Sequence, residues 1–306
     1  MLPKIKVVGV GGSGSNTISR MAKMDLRGVE LIAMNTDAQA LHFCRAENKV
    51  LIGEHVTRGL GAGMEASLGK EAAEENKEQI KELLKGSDMV FVTCGLGGGT
   101  GSGASPAIAD ISKQLGILTI AVVTMPFSFE GQQRKEIAKQ ALNNLAGATD
   151  ALIVISNDNL LKIIDEKTTV ANAFEICDDI LKQAVASITD LILSPGIINI
   201  DFASIVSVMK DSGQALFGTG RALGENRAIE AAKQAIASPL LDFSIKGSKG
   251  VLFNVSGNDI TLNEIKEAAK VITESVDSKA QIIFGAVKDA GLKKGEIKIT
   301  VIATKF

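Results

Sequence analysis

Several residue types are scarce in this sequence, and their scarcity excludes whole classes of function. The 306 residues include no tryptophan and no tyrosine, two histidines and three cysteines. Without Trp or Tyr, the aromatic stacking platforms of single-stranded nucleic-acid binders are not expected. The formal net charge is only −2, so no overall field attracts nucleic acid or anionic lipid. No apolar run reaches the ~18 residues of a membrane span, so direct membrane insertion is not expected either.

The few cysteines and histidines do not form a site. Cys44, Cys94 and Cys177 are far apart and lie in apolar surroundings, which predicts buried free thiols in a reducing cytoplasm. His42 and His55 complete no Cys/His cluster with zinc-ligand spacing. The apolar stretch after residue 7 runs into glycines instead of a cleavage site, so a secretory signal is not predicted.

Glycine, in contrast, is abundant, and its densest run is the most informative stretch of the chain. Residues 97–103 read GGGTGSG, between an apolar strand predicted at 89–94 and a helix predicted at 104–115. Glycines let the backbone approach an anion, and a helix N-terminus adds a positive dipole end. Thr100 and Ser102 add hydroxyl donors. The run therefore predicts a phosphate site. The alternative is a flexible linker or a tight turn, although linkers rarely join two strongly patterned elements.

Two further glycine turns precede this run. Residues 9–14 fit G-x-G-x-x-G, which is typical of nicotinamide-dependent oxidoreductases but is a weak signal alone. Residues 59–63 read GLGAG, and no Walker A lysine follows at the required spacing. A phosphate would therefore be held mainly by backbone amides, with a metal ion sharing the charge. Asn35 and Asp37 follow a predicted strand, either as ligand-binding residues at its end or as turn and helix-cap residues.

The alternation of strands and helices predicts an α/β fold with a doubly wound parallel sheet over the first ~170 residues. A long helix is predicted at 172–193, about 33 Å long at ~1.5 Å per residue, ended by Ser194, Pro195 and Gly196. Helices and strands after residue 197 predict a smaller α+β domain. The predicted domains are 1–170 with the parallel sheet, 171–196 as a central helix, and 197–306 as the α+β domain.

Three side chains near these boundaries have plain structural explanations. Phe174 and Asp178 lie one turn apart on the long helix, and the pattern alone favours core packing for the first and a solvated charge for the second. Asp201 precedes a predicted helix at 202–210, where an aspartate is a common N-cap.

Six motifs together resemble the tubulin/FtsZ superfamily. They are GVGGSGSN (9–16), MNTDAQAL (34–41), GLGAG (59–63), GGGTGSG (97–103), PFSFEG (126–131) and NIDFA (199–203), in the family's order. The resemblance covers essentially the whole chain, as a globular core lacking a C-terminal tail. The oxidoreductase interpretation explains only one of the six.

The resemblance implies a GTP-binding, self-assembling GTPase of bacterial cell division. Such a protein binds GTP or GDP, with Mg²⁺ expected, and forms a head-to-tail homopolymer at the mid-cell division site during septation. Other division proteins would bind through the absent tail, and no nucleic-acid partner is implied. The implied GTP-binding residues are Gly11, Gly12, Ser13, Asn16, Asn35, Ala62, Gly63, Gly98, Gly99, Thr100, Gly101, Ser102, Glu130, Arg134, Asn157, Phe174 and Asp178.

The resemblance also implies individual roles. Phe174 would stack on guanine, while Asn157 and Asp178 would hydrogen-bond to it. One carboxylate can accept both the N1–H and N2–H donors of guanine, so selection of GTP over ATP would rest on Asp178. Glu130 and Arg134 would contact the ribose and phosphates, and Ala62 and Gly63 the γ-phosphate.

The implied catalytic residues are Asn199, Asp201 and Ser204, on a loop that completes the site of the next subunit. The family usually has two acids three residues apart here, and Ser204 stands in place of the second. Either Asp201 alone suffices for a slower GTPase, or the chain is a nucleotide-gated filament former with weak hydrolysis. Ser13 and Ser102 also replace small residues, and little effect is expected from either.

Overall fold

The computed structural model describes residues 2–24, 26, 28–162, 164–165, 167–193, 196–238, 244–289 and 291–306. Contacts divide the chain into two units, Met1–Ala186 and Ser187–Phe306. The division into functional domains 1–170, 171–196 and 197–306 stays a prediction. Within the described residues, no helix is both long enough and apolar enough to cross a bilayer.

A parallel sheet in the order β3-β2-β1-β4-β5-β6 organises the first unit. Its central strands are apolar runs buried on both faces, as parallel sheets covered by helices require. The order reverses between β1 and β4, which opens a crevice at the carboxyl ends of the strands. The predicted doubly wound sheet is thus confirmed. The strands are β1 Ile5–Val10, β2 Val29–Asn35, β3 Asn48–Leu51, β4 Met89–Gly95, β5 Leu118–Met125 and β6 Ala151–Ser156.

Helices cover both faces of this sheet, and two of them begin inside glycine runs. They are α1 Gly11–Met21, α2 Ala38–Phe43, α3 Glu54–Thr57, α4 Ala66–Glu75, α5 Lys77–Leu84, α6 Gly99–Gln114, α7 Gln132–Ala148, α8 Asn157–Leu160 and α9 Val170–Leu193, with a 3₁₀ turn at Ser128–Glu130. Helices α1 and α6 begin inside the glycine runs that were predicted as loops.

The glycines inside α6 serve helix packing. A Cβ built on Gly103 would lie 1.9 Å from the backbone oxygen of Ala66 on α4, so only glycine permits this approach. Tertiary packing therefore overrides the low helix propensity of glycine.

The polar pattern of residues 70–85 predicts one helix, but the structure has two helices there, α4 and α5. Asn76 between them has φ −98° and ψ 16°, outside the helical range, and its Oδ1 accepts a hydrogen bond of 2.8 Å from the Gly53 backbone N–H. This long-range contact has no local sequence signal. The stop predicted at Ser194 and Pro195 lies outside the described residues.

The second unit has a four-stranded sheet in the order β7-β10-β8-β9. β10 is antiparallel to β7 and β8, and β8 is parallel to β9. This confirms the predicted α+β class. The strands are β7 Gly213–Leu223, β8 Gly250–Gly257, β9 Gln281–Lys288 and β10 Glu296–Thr304, and the helices are α10 Phe202–Met209, α11 Arg227–Ile236 and α12 Leu262–Thr273.

Strand β7 was not predicted, because it contains glycines that usually weaken a strand. Its glycines make room for α11: a Cβ on Gly220 would lie 2.1 Å from the backbone oxygen of Ala231. The core of this unit is correspondingly rich in alanine on α11, packed against Phe253 and Ile272.

Candidate nucleotide-binding site

A cavity of about 460 Å³ lies in the first unit where the strand order reverses. It opens at the carboxyl ends of β1, β4, β5 and β6, the position at which open α/β sheets bind ligands. Its lining residues are Val10, Gly12, Ser13, Asn16, Gly95, Leu96, Gly98, Gly99, Thr100, Gly101, Thr124, Pro126, Glu130, Arg134, Asn157, Phe174, Cys177 and Asp178.

One side of the cavity is formed by the N-termini of α1 and α6. Neither helix has a side-chain hydrogen bond from its N-cap residue, Val10 or Gly98. The first-turn backbone N–H groups are therefore not capped by side chains and are suited to an anion. Two hydrogen bonds hold the 97–103 run in place. The Gly97 N–H donates to Ser102 Oγ at 2.9 Å, and the hydroxyls of Thr36 and Thr100 lie 2.6 Å apart. This side can bind phosphates.

An arginine adds positive charge to the cavity. Arg134 Nη1 donates to Glu130 Oε2 at 2.8 Å, and Glu130 Oε1 accepts from the Phe127 backbone N–H at 2.9 Å. Glu130 thereby holds the guanidinium on the first turn of α7, at the cavity wall.

The other side of the cavity is suited to a planar, polar group. The Phe174 ring is 38% exposed and contacts Phe127 edge to face, with centroids 5.4 Å apart. Asn157 is buried, and its Oδ1 has no hydrogen-bond partner among the described residues. Asp178 is buried as well. The pattern-based explanations of core packing for Phe174 and a solvated charge for Asp178 are therefore wrong, because both side chains line the cavity.

Asp178 has an unusual electrostatic environment. Burial raises the pKa of its carboxyl to about 6, although hydrogen bonding by Ser13 and the charge of Arg20 favour the ionised form. Ser13 Oγ donates to Oδ1 at 3.2 Å, and Arg20 Nε lies 3.7 Å from Oδ2. A carboxylate in this position can accept two parallel N–H donors from a bound base.

Twelve of the seventeen residues predicted to bind GTP line this cavity, and five do not. Asn35 is buried at the end of β2, where its Oδ1 accepts from the Asp37 N–H at 3.3 Å. Ser102 is buried, and its hydroxyl oxygen accepts the hydrogen bond from the Gly97 N–H described above. Gly11 has φ +72° and packs beside Gly101, and Ala62 and Gly63 belong to the turn against Gly99. Contacts of all seventeen with GTP stay predictions.

Several residues that line the cavity, and one charged neighbour of Asp178, were not predicted from the sequence. Leu96, Thr124 and Pro126 follow or end buried strands, so the strand-end rule used for Asn35 could have identified them. Cys177 lines the cavity, and all three cysteines are buried and free, as predicted. Arg20 had no local signal, because its partners lie more than 150 residues away on α9.

The predicted catalytic loop lies in the second unit. Asp201 is exposed and caps α10, accepting a 2.6 Å hydrogen bond from the Ser204 N–H, so the N-cap explanation is confirmed for this contact. Hydrogen bonding by Ser204 holds the pKa of Asp201 below its ordinary value. Asn199 Oδ1 accepts from the Gly196 N–H at 2.7 Å. The loop thus presents an ionised carboxylate to solvent.

Fold and cavity together define a doubly wound α/β nucleotide-binding protein without a Walker A lysine. Residues 4–165 match the model of the Tubulin/FtsZ family, GTPase domain, and residues 213–306 match that of the FtsZ family, C-terminal domain. The chain belongs to the tubulin/FtsZ family, and it is a GTPase.

Solved structures agree with this assignment. The chain is 44% identical to an empty FtsZ dimer from M. jannaschii, with a TM-score of 0.95, covering 99% of this chain and 88% of that one. CetZ2 from Haloferax volcanii, in a protofilament with GTPγS bound, is 20% identical with a TM-score of 0.85, covering 98% and 92%. At that identity the second match supports the fold alone.

Proposed function

We propose that this chain is a self-assembling GTPase of cell division that hydrolyses GTP at a head-to-tail contact between two copies. In this proposal the seventeen predicted residues bind the nucleotide in one copy. Asp201, with Asn199 and Ser204, comes from the next copy and orients the attacking water.

The observation that carries this proposal is that both acids in the cavity lining already have partners in the structure. Glu130 is engaged by Arg134 and the Phe127 N–H, and Asp178 lies at the base side beside Ser13. Neither is free to act as a general base on water beside the γ-phosphate. The exposed Asp201 carboxylate of a second copy could take this role.

Mg²⁺ fits the phosphate side of the cavity. The lining residues include one arginine and no lysine, so a hard cation would share the phosphate charge, with hydroxyls such as that of Thr100 as oxygen ligands. When bound, Mg²⁺ would neutralise charge that develops on the phosphates during hydrolysis.

A site shared between different surfaces of two copies is a heterologous contact, and repeated contacts of this kind build open filaments. The relative that is 44% identical supports this step, since it is an FtsZ dimer. A place in bacterial cell division, at mid-cell in the cytoplasm with tail-binding division proteins, belongs to the same proposal. The relatives named above are archaeal.

Ser204 favours a second candidate, a nucleotide-gated filament with weak hydrolysis. A serine hydroxyl can orient water but supplies no charge, and losing a catalytic acid commonly costs ~10²–10⁴ in rate. Phosphate release and pelleting, measured with GTP and Mg²⁺ over a protein concentration series, separate the two candidates. The first predicts a cooperative rise in release per subunit above a critical concentration. Pelleting without release would instead support the second.

A further inference from the structure

Both oxygens of the Asp178 carboxylate face partners on helix α1. Ser13 Oγ donates to Oδ1 at 3.2 Å, and Arg20 Nε lies 3.7 Å from Oδ2. The two partners are seven residues apart, which places them two turns apart on one face of α1. Arg20 Nη1 also donates to Glu175 Oε1 at 2.6 Å, which fixes the guanidinium against α9.

We propose that Ser13 and Arg20 are positioning residues for guanine recognition, which hold the Asp178 carboxylate in the orientation that accepts two N–H groups of the base. The inference rests on the proposed function, in which Asp178 reads guanine. It assigns to Ser13 a role through Asp178, and it adds Arg20, which does not line the cavity.

The lone pairs of the carboxylate make this arrangement chemically consistent. An ionised carboxylate offers about four acceptor sites, two on each oxygen. Ser13 occupies one site on Oδ1, and Arg20 forms an ion pair with Oδ2 at 3.7 Å, so each oxygen keeps at least one site for guanine N1–H and N2–H. Adenine lacks this adjacent pair of donors, so it cannot form the paired contact with Asp178.

Burial explains why the carboxylate needs positioning. Asp178 is 7% exposed, and a buried carboxylate without partners tends to turn away or bind a proton. The Ser13 hydroxyl and the Arg20 charge oppose both outcomes. The expectation that a serine at position 13 has little effect is therefore replaced by a specific one.

The same helix offers a matched control. Ser15 is buried, and its hydroxyl has no hydrogen-bond partner within the described part of the chain. Ser15→Ala removes the same atom as Ser13→Ala, two residues along α1, without touching Asp178.

The test measures the dissociation constants of GDP, inosine diphosphate and ADP on the full chain by competition against a fluorescent GDP. Ser13→Ala and Arg20→Gln should each weaken GDP about 2- to 10-fold, with a smaller loss for inosine diphosphate and no change for ADP. Ser15→Ala should bind all three like the parent. In an Asp178→Asn background, neither Ser13→Ala nor Arg20→Gln should reduce GDP affinity further.

Four results would overturn the inference. Equal losses for GDP and ADP, or losses that persist in the Asp178→Asn background, would mean that Ser13 and Arg20 only support the structure. The inference would also be excluded if both single variants keep the parental ratio of GDP affinity to ADP affinity while Asp178→Asn lowers that ratio. If Asp178→Asn leaves the ratio unchanged, the assignment of Asp178 as base reader fails, and the inference fails with it.

Discussion

At the scale of single residues, the cavity is governed by how a few carboxylates are partnered. Glu130 is engaged by Arg134, Asp178 by Ser13 and Arg20, and Asp201 by the start of its own helix. The three carboxylates therefore differ in what they can do. Glu130 holds an arginine, Asp178 lines the cavity together with Phe174 and Asn157, and Asp201 remains ionised in solvent.

Guanine affinity should depend on pH through Asp178. Its pKa is raised to about 6 by burial, and the charged groups near it are Arg20 on α1 with Glu175 and Asp179 on α9. Only the ionised form can accept both base donors, so GDP affinity should fall as pH drops below about 6, up to about tenfold per unit. Titration calorimetry between pH 5 and 8 measures this.

The raised pKa has the opposite effect on the stability of the nucleotide-free fold. Because the folded state binds this proton more tightly than the unfolded state, the destabilisation from Asp178 is fully present above pH 6 and is relieved as pH falls.

The Asp178→Asn variant is the control for the predicted pH dependence of GDP affinity. A GDP affinity that declines identically in this variant would show that another group titrates.

Ser204→Asp should raise GTP turnover. It restores a second carboxylate beside Asp201, and such a group commonly contributes ~10²–10⁴ in rate. Nucleotide affinity should not change, because Ser204 lies on α10, outside the cavity lining. Ser207→Asp, an exposed change one turn further on, adds the same charge as a control. If Ser204→Asp and Ser207→Asp hydrolyse GTP at equal rates, the serine at position 204 does not limit turnover.

At the scale of elements, the phosphate side depends on the close packing of α4 against α6. Gly103→Ala should destabilise the fold by about 1–3 kcal/mol, because its Cβ would lie 1.9 Å from the Ala66 oxygen. Gly147→Ala in α7 meets no atom within 4 Å and should instead stabilise by about 0.5–1 kcal/mol. Urea unfolding of both variants measures the difference. A Gly103→Ala protein as stable as the parent would show that the helices separate at little cost.

These elements also show how far the sequence alone predicts the fold. The order of strands and helices in the first unit follows from apolar runs between glycine turns, and the observed sheet matches it. The starts of α1 and α6, the break at Asn76 and the whole of β7 do not follow. In each of these cases a glycine or an amide serves a distant partner, which local propensity does not register.

The candidate site divides in the same way. The glycine loops are visible as motifs, and the resemblance supplies Phe174 and Asp178, for which periodicity alone favours the wrong surroundings. Arg20 has no sequence signal, since contact between α1 and α9 joins positions 155 residues apart or more.

At the scale of the whole molecule, the two units contribute different parts of the proposed chemistry. The first unit holds the cavity, and the second holds the exposed Asp201 loop. In our proposal, hydrolysis therefore depends on assembly, because the cavity lining offers no free acid to position water.

The most direct test of a shared site mixes two variants that are each impaired. Asp201→Ala keeps the cavity but lacks the proposed acid, while Asp178→Ala keeps the acid but is impaired in guanine binding. Where the cavity of an Asp201→Ala subunit meets the loop of an Asp178→Ala subunit, both halves of the shared site are intact. GTP turnover of a 1:1 mixture, with pelleting to verify co-assembly, should exceed the sum of the separate variants and approach a quarter of parental turnover, since about one contact in four is fully intact. Turnover no greater than that sum in a mixture that does co-assemble, or undiminished turnover by Asp201→Ala alone, would contradict the account.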